Sequence, residues 1–264
     1  MTIFYNHAFL PAEQVNIAHN DRGLTLGDGV FDTMLAQDGK PVWAREHFAR
    51  LSYNASVLGI AFTLDFEPAV QELLERNDAG QGRYAVRTTI TRGAGGRGLM
   101  PPDTVKPTII MSCTPAPQKT NRAEMIIAQT VRRNEHSPLS QIKSLNYGDN
   151  LLALLEAQEK STEDSILLNS AGNVCCTTTG NIFICENRKI VTPPLDDGIL
   201  AGITRQKIIE RYDVTEESFI PERLFEANAV FMTNSIQGIR PIKRIDHTYF
   251  PPDNGIIPEN FYAA

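Results

Sequence analysis

The central stretch of the chain is Ser140-Gln141-Ile142-Lys143-Ser144-Leu145-Asn146-Tyr147-Gly148-Asp149-Asn150. It places one lysine, Lys143, among apolar and amide side chains, directly before the helical run 151–155. An ammonium group in such surroundings loses hydration, and desolvation disfavours its charged form. A neutral lysine is a nucleophile, and its usual use is a Schiff base with a carbonyl cofactor. A lysine beside a helix is most often a plain surface residue, so the rest of the chain has to supply the context.

Length and composition describe an ordinary globular protein. The chain has 264 residues, enough for one large domain or two small ones with a hydrophobic core. A hydrophobic content of 42% and a charged content of 21% are typical values. A net charge of −6 argues against nucleic acid or an anionic membrane as a general partner, because no extended basic surface is available. No apolar run approaches the length of a membrane span.

The cysteines and the N-terminal residues predict the compartment. There are four cysteines, none in a C-x-x-C pair, and this low number favours a reducing compartment. The first residues lack the basic region and apolar run of a signal peptide. We therefore expect a cytoplasmic protein with no nucleic-acid or membrane partner.

Apolar periodicity predicts an α+β protein. Phe48, Leu51, Ala55 and Leu58 recur at steps of three and four, so 45–59 is predicted to be a helix. Further helices are expected at 66–76, 149–160 and 204–212, and strands at 30–35, 83–91, 107–113, 124–130, 165–169, 181–185, 189–192 and 229–233. The segment 114–122 contains two prolines and is the expected linker. The prediction is a small N-terminal α+β domain, 1–117, and a larger C-terminal domain, 118–264, which carries the lysine.

Three segments have the features of an anion-binding site. Gly202-Ile203-Thr204-Arg205 opens a predicted helix, where N–H groups without internal partners lie at the positive end of the helix dipole. Asn234-Ser235 follows an apolar strand and offers a hydroxyl or N–H group. Arg50, on the polar side of the first helix, offers a charge-assisted contact. Each feature is common alone, but together with a lysine suited to imine chemistry they point to pyridoxal 5′-phosphate (PLP).

Five motifs, in order along the chain, carry a family resemblance. They are Leu26-Gly27-Asp28-Gly29-Val30-Phe31, Glu46-His47-Phe48-Ala49-Arg50-Leu51, Lys143-Ser144-Leu145-Asn146, Gly198-Ile199-Leu200-Ala201-Gly202-Ile203-Thr204-Arg205 and Thr233-Asn234-Ser235. The sequence resembles the fold-type IV PLP-dependent enzymes, the class IV aminotransferase family, which includes branched-chain and D-amino-acid aminotransferases and 4-amino-4-deoxychorismate lyase. The resemblance implies a two-domain, D-amino-acid aminotransferase-like fold with a barrel-like β core in the larger domain. It also implies a cofactor between the domains, a small-molecule substrate and a homodimer.

The resemblance further implies roles for individual residues. Lys143 would form the Schiff base with PLP and then act as the acid–base group. The other cofactor-binding residues would be Arg50, Tyr147, Cys176, Gly180, Asn181, Ile203, Thr204 and Ser235. Of these, Arg50, Ser235 and the backbone at 203–204 would hold the phosphate. Tyr147 would lie near the 3-hydroxyl group of the cofactor. The substrate-binding residues would be Phe31, Arg97, Asn234 and Ile236, and no metal is expected.

One position departs from the family pattern. Relatives have a glutamate where this chain has Cys176, and that carboxylate keeps the pyridine nitrogen protonated so that the ring can accept carbanion charge. A neutral thiol is a weak hydrogen-bonding group, and a buried apolar cysteine resists ionisation. The substitution leaves open a weakly active, PLP-binding member of the family.

The glycine-rich segment Thr91-Arg92-Gly93-Ala94-Gly95-Gly96-Arg97-Gly98-Leu99 resembles the corresponding loop of aminodeoxychorismate lyases. Arg97 on such a loop can reach a substrate carboxylate bidentately, and a flexible connection with the arginine in solvent is the alternative. This loop favours a lyase that converts 4-amino-4-deoxychorismate into 4-aminobenzoate and pyruvate in folate biosynthesis. A D-amino-acid or related aminotransferase is the alternative within the family. His47 is expected to be structural, and Asp28 to orient a turn.

Overall fold

The computed structural model describes residues 1–101, 104, 106–118, 122–252 and 255. The chain divides into two compact units. The first comprises Met1–Pro117 and Ile142–Asn146, and the second comprises Gln118–Gln141 and the chain from Tyr147 onward. The domain boundary predicted after residue 117 stays a prediction, and residues 119–121 of the predicted linker lie outside the described residues.

The first unit is an antiparallel sheet with helices. Its strands are β1 (Thr2–Tyr5), β2 (Ala8–Pro11), β3 (Gly29–Gln37), β4 (Lys40–Pro41), β5 (Arg83–Thr91) and β6 (Thr108–Pro115). Its α-helices are α1 (Arg22–Leu26), α2 (Ala44–Val57) and α3 (Phe66–Arg76). The strands form one six-stranded sheet in the order β2-β1-β6-β5-β3-β4, in which every pair is antiparallel.

Helix α2 buries the apolar stripe that the sequence predicted. Leu51 and Ala55 are fully buried, and Phe48 and Leu58 are partly buried against the same core. That core also contains Val30, Met34 and Ala36, which are alternate residues of β3 and so lie on one face of the sheet. The helix predicted at 45–59 is confirmed, with slightly different ends.

The lysine segment belongs to the first unit, whereas the sequence analysis placed it in the C-terminal domain. Two backbone hydrogen bonds attach it to β3. Phe31 N donates to Lys143 O at 2.9 Å, and Leu145 N donates to Gly29 O at 2.9 Å. These bonds join residues more than a hundred positions apart in the sequence, and local patterns carry no information about such contacts.

The second unit contains nine strands and four α-helices among the described residues. The strands are β7 (Ala123–Ile127), β8 (Asp164–Leu168), β9 (Val174–Thr177), β10 (Asn181–Glu186), β11 (Lys189–Thr192), β12 (Val214–Glu216), β13 (Ala229–Asn234), β14 (Gly238–Ile245) and β15 (Thr248–Tyr249). The helices are α4 (Pro138–Gln141), α5 (Gly148–Glu159), α6 (Ile203–Arg211) and α7 (Pro221–Glu226).

Six strands of the second unit close on themselves. The sheet runs in the order β12-β11-β10-β13-β14-β7-β8-β9, and β9 pairs back onto β10 through Asn181 and Cys176. Phe183 on β10 and Phe231 on β13 are fully buried, and their rings stack with centroids 4.8 Å apart. The closed ring of strands confirms the barrel-like core expected for the larger domain, and with it the two-part α+β fold. Within the described residues, no helix combines the length and apolar character that crossing a membrane requires.

Candidate active site

Lys143 and Arg87 both lie against the aromatic ring of Phe31. The Lys143 side chain is half-buried, and its Nζ is 4.4 Å from the centroid of the Phe31 ring. The guanidinium carbon of Arg87 is 3.8 Å from the same centroid. Phe31 is 6% exposed, so its ring is held in place against both basic side chains. A cationic group next to the amine favours an anionic molecule at this position. The sequence analysis predicted Lys143 and Phe31 here but missed Arg87.

Arg50 is held by a buried carboxylate. Its Nε donates to Asp32 Oδ2 at 2.8 Å and its Nη2 donates to Asp32 Oδ1 at 3.0 Å. His47 Nδ1 lies 2.6 Å from the same Oδ1 atom. The side chains of Asp32 and His47 are 3% and 1% exposed. Asp32 lies two positions from both Val30 and Met34 on β3. Its side chain is therefore on the same face of the sheet as theirs, and α2 covers that face.

Arg50 decides the protonation states in the buried trio of Asp32, His47 and Arg50. Burial would raise the pKa of Asp32, but the charge of Arg50 and the hydrogen bonds from His47 and Arg50 outweigh it and hold that pKa below its usual range. Burial lowers the pKa of His47, and Asp32 offsets this only in part. Since Arg50 already neutralises the carboxylate, His47 stays neutral and donates Nδ1–H to it. Its Nε2 atom makes no hydrogen bond within the described residues, as expected of a nitrogen without a proton.

The structural role expected of His47 agrees with these contacts. The sequence analysis missed Asp32, although a lone acid inside the apolar strand 29–37 was a usable signal. A carboxylate there can be tolerated only with a buried cationic partner.

In the second unit, three predicted segments come together. Gly202 caps the N-terminus of α6, and a Cβ atom at this position would fall 1.9 Å from Asn181 Oδ1. The Nδ2 group of Asn181 donates to Leu200 O at 2.9 Å. A Cβ atom on Gly180 would fall 2.6 Å from Thr233 O. The turn at 180–181, the start of α6 and the end of β13 are therefore in contact, and both glycines are needed for the approach.

Ile203 and Thr204 form the first turn of α6 and are buried. The first N–H groups of a helix have no partner within the helix itself, and such groups bind anions well. At the end of β13, Asn234 Oδ1 accepts hydrogen bonds from Ile236 N at 3.1 Å and Gln237 N at 2.8 Å. This turn fixes the backbone on either side of Ser235, which is half-buried.

Cys176 sits where β9 and β10 close the barrel. It is 7% exposed and pairs with Asn181 on β10 and Leu167 on β8. Burial raises the pKa of the Cys176 thiol, and the nearby positive charge of Arg133 does not offset this. The thiol is therefore neutral, as the sequence analysis expected. Cys175 faces the other way, with its Sγ 3.1 Å from Asp197 O, and both cysteines are free.

A buried carboxylate supports the turn that follows Cys176. Thr178 Oγ1 donates to Asp164 Oδ1 at 2.5 Å, and Asn150 Nδ2 donates to Thr178 O at 2.7 Å. Burial raises the pKa of Asp164, and hydrogen bonds from Thr178 and its neighbours oppose that effect. The sequence analysis missed both Asp164 and Asn150. Tyr147 directly precedes α5 and is half-buried.

The glycine-rich loop borders a cavity within the first unit. The cavity has a volume of about 470 Å³, and its lining includes His19, Asn20, Thr25, Leu26, Arg97 and Leu99. Arg97 is exposed, and its side chain makes no hydrogen bond to another described residue. A guanidinium in this situation is available to an anionic ligand.

Residues 29–245 match the family described as amino-transferase class IV. The chain belongs to this family, whose enzymes use PLP. The chain is 34% identical over 254 residues to a protein of Methanocaldococcus jannaschii that is provisionally named a branched-chain-amino-acid aminotransferase, with 93% of this chain and 88% of the relative covered. It is 28% identical over 262 residues to an aminodeoxychorismate lyase of Bacillus subtilis, with 96% and 89% covered.

A solved structure from Legionella pneumophila, provisionally described as a 4-amino-4-deoxychorismate lyase, superimposes with a TM-score of 0.86. It shares 30% sequence identity, and the match covers 93% of this chain and 92% of the other. The names of the relatives divide between lyase and aminotransferase. These relatives agree on the family and leave the reaction open between lyase and aminotransferase.

Proposed function

We propose that the protein is a PLP-dependent lyase that converts 4-amino-4-deoxychorismate into 4-aminobenzoate and pyruvate. The observation that carries this proposal is the glycine-rich loop with the exposed Arg97, which borders a cavity of about 470 Å³ in the same unit as Lys143. The substrate has two carboxylates and a ring. A guanidinium on a loop with little side-chain bulk suits that combination. The Bacillus subtilis and Legionella pneumophila relatives support the same reaction.

The residues of the chain fit the cofactor. Lys143 offers a half-buried primary amine, and the start of α6, kept open by Gly202, offers N–H groups to a phosphate. Arg50, oriented by Asp32, adds a charge-assisted donor. When bound, PLP supplies an aldehyde for the amine and a ring that accepts electrons.

In this proposal Lys143 moves the protons. The Lys143 amine would remove the proton from C4 of the substrate. The C3–O bond would then break, its electron pair would leave with the three-carbon unit, and Lys143 would return a proton to that unit to give pyruvate. Arg97 binds a carboxylate of the substrate, and Phe31 packs beside its ring. Asn234 and Ile236 are assigned to the substrate, and Tyr147, Gly180, Asn181 and Ser235 to the cofactor, on the family resemblance. Aromatisation of the product makes the reaction favourable.

Cys176 is consistent with lyase chemistry. A neutral thiol cannot pair with a protonated pyridine nitrogen, so the ring is a weaker electron acceptor than one facing a carboxylate. A lyase tolerates this better than an aminotransferase, because the developing aromatic product shares the charge. In Cys176→Glu, transaminase activity should therefore rise more steeply than lyase activity, with Cys176→Ser as the uncharged control. An equal rise in both activities would contradict the argument.

The reaction is tested directly with aminodeoxychorismate. The proposal predicts 4-aminobenzoate and pyruvate in equal amounts, and strong loss of both in Arg97→Ala but not in the exposed Arg45→Ala. Turnover of D-alanine or a branched-chain amino acid with 2-oxoglutarate, without 4-aminobenzoate, would favour the aminotransferase alternative, which the 34% identical relative supports. PLP binding without turnover of any donor would favour a weakly active member, which Cys176 supports. The proposal includes a homodimer, and native mass measurement tests it.

A further inference from the structure

Arg22 is a buried arginine that holds the end of the glycine-rich loop. It is 4% exposed, and each of its three guanidinium nitrogens donates a hydrogen bond. Nε donates to Asp28 Oδ2 at 2.8 Å, Nη1 to Gly98 O at 3.1 Å and Nη2 to Leu99 O at 2.6 Å. Leu99 itself is 81% exposed, so packing of its side chain does not hold the loop in place.

Asp28 joins the two ends of the same loop. Besides Arg22, it accepts two hydrogen bonds from Arg92, from Nε at 2.7 Å and from Nη2 at 3.0 Å. Arg92 also donates to Leu58 O at 2.5 Å, which ties it to the end of α2. Burial would raise the pKa of Asp28, but the hydrogen bonds and charges of Arg92 and Arg22 outweigh it, so the carboxylate is ionised.

Backbone contacts fix the middle of the loop to the same segment. Arg22 N donates to Gly93 O at 2.8 Å, and Gly95 N donates to Asn20 O at 3.0 Å. The side chain of Asn20 returns a hydrogen bond to Gly95 O at 2.9 Å. A Cβ atom on Gly95 would fall 2.7 Å from Arg22 Cδ, so only glycine allows this approach. Segment 20–22 therefore holds the loop at four of its residues.

The turn that contains Asp28 also holds the lysine segment. Asn146 Nδ2 donates to Gly27 O at 3.2 Å, and Leu145 N donates to Gly29 O at 2.9 Å. Gly27 has a φ of +66°, and a Cβ atom there would fall 2.7 Å from Asn146 Oδ1. One three-residue turn thus contacts the segment that carries Lys143, and through Asp28 it contacts the loop that carries Arg97.

We propose that Arg22 and Asp28 are positioning residues that fix the Arg97 loop relative to Lys143 and thereby set the affinity for a carboxylate-bearing substrate. The proposal rests on the proposed function in one respect, namely that Arg97 binds the substrate carboxylate. Arg22 touches neither reactant, since its guanidinium is used by Asp28 and two loop carbonyls. The sequence analysis expected Asp28 to orient a turn. In this proposal that turn also links the segment that carries Lys143 to the loop that carries Arg97.

The test is Arg22→Lys in the holoenzyme, alone and combined with Arg97→Ala. Lysine keeps the charge next to Asp28 but lacks the fork that reaches both carbonyls. Amide hydrogen exchange over 93–99 should accelerate at least tenfold, and KM for aminodeoxychorismate should rise at least fivefold with kcat within twofold. In the Arg97→Ala background the same substitution should change KM less than twofold, because the group it positions is gone. The matched control is Arg45→Lys, because the side chain of Arg45 is 90% exposed. It should change neither the amide exchange over 93–99 nor the KM.

Two results would overturn the proposal: unchanged exchange in the loop, or a rise in KM that persists undiminished in the Arg97→Ala background. If Arg22→Lys does not fold, Asn20→Ala removes one exposed side-chain bond to Gly95 O, and exchange at 95–96 should still accelerate at least threefold. Unchanged exchange there would equally overturn the proposal. A wild-type protein that makes no 4-aminobenzoate would refute the proposed function instead, because loop exchange is measured without turnover.

Discussion

Replacing Asp32 by asparagine should destabilise the first unit strongly. The carboxylate is 3% exposed, and the Arg50 side chain that it pairs with is 10% exposed. Asparagine fills the same volume but carries no charge. Its oxygen can replace Oδ1, which faces both Arg50 Nη2 and His47 Nδ1, but its amide NH₂ group would then take the place of Oδ2 and meet the Nε–H donor of Arg50. The substitution removes the carboxylate that faces a nearly buried guanidinium.

The expected magnitude follows from burial. Breaking a buried ion pair by removing one partner costs about 3–5 kcal/mol. Because Arg50 keeps some exposure and asparagine keeps one acceptor, we expect the lower end, about 3 kcal/mol. The matched control is Glu72→Gln, which removes a carboxylate from an ion pair with Arg76 at 2.7 Å whose side chains are 50% and 47% exposed. An exposed pair of this kind contributes about 0.5 kcal/mol or less.

The assay is urea unfolding of the cofactor-free protein, with the free energy obtained from the midpoint and slope. Hydrogen exchange of the α2 amides then locates the loss in the first unit. Asp32→Asn should lose several times more stability than Glu72→Gln. A loss for Asp32→Asn within about 0.5 kcal/mol of the control would refute the argument that the trio is a buried, charge-balanced unit.

Two further predictions concern pH and the second unit. The pKa of His47 is lowered from 6.5 in the fold, so as pH falls below that value the unfolded chain takes up a proton that the folded protein does not. The unfolding free energy should therefore fall by up to about 1.4 kcal/mol per pH unit through His47. In urea titrations between pH 7 and 5, His47→Gln should lose less stability than the wild-type protein as the pH falls. Equal losses in the two proteins would contradict this role of His47. In Gly202→Ala, the new Cβ would meet Asn181 Oδ1 at 1.9 Å, and the dissociation constant for PLP, measured by absorbance titration, should rise at least about tenfold, equivalent to about 1.4 kcal/mol. Gly80→Ala, where a Cβ meets nothing within 4 Å, is its control, and equal PLP affinity in the two variants would count against the α6 phosphate site.

Local elements of the fold could be predicted from the sequence because they depend on local periodicity. The helix at 66–76 and the strand at 83–91 have the predicted bounds. The stripe of Leu51 and Ala55 faces the core as expected. The barrel came from the family resemblance instead, because its closing pair, Asn181 and Cys176, is a tertiary contact that periodicity does not encode.

The candidate site was predicted less completely, for a physical reason. Motif residues such as Lys143, Arg50 and Gly202 could be identified because their chemistry is distinctive at one position. Their partners are defined only by the folded chain. Asp32 reaches Arg50 across a strand–helix contact, and Arg22 reaches Gly98 and Leu99 from 76 and 77 positions away. No spacing rule connects residues so far apart.

The central claim is that Lys143 is the residue that binds the cofactor. Purified protein is incubated with PLP, reduced with borohydride and digested, and the pyridoxyl group is located by mass spectrometry. We predict a single adduct on Lys143, and none at any lysine in Lys143→Ala treated in the same way. An adduct on a different lysine of the wild-type protein, or no adduct after PLP has been added, would contradict the claim.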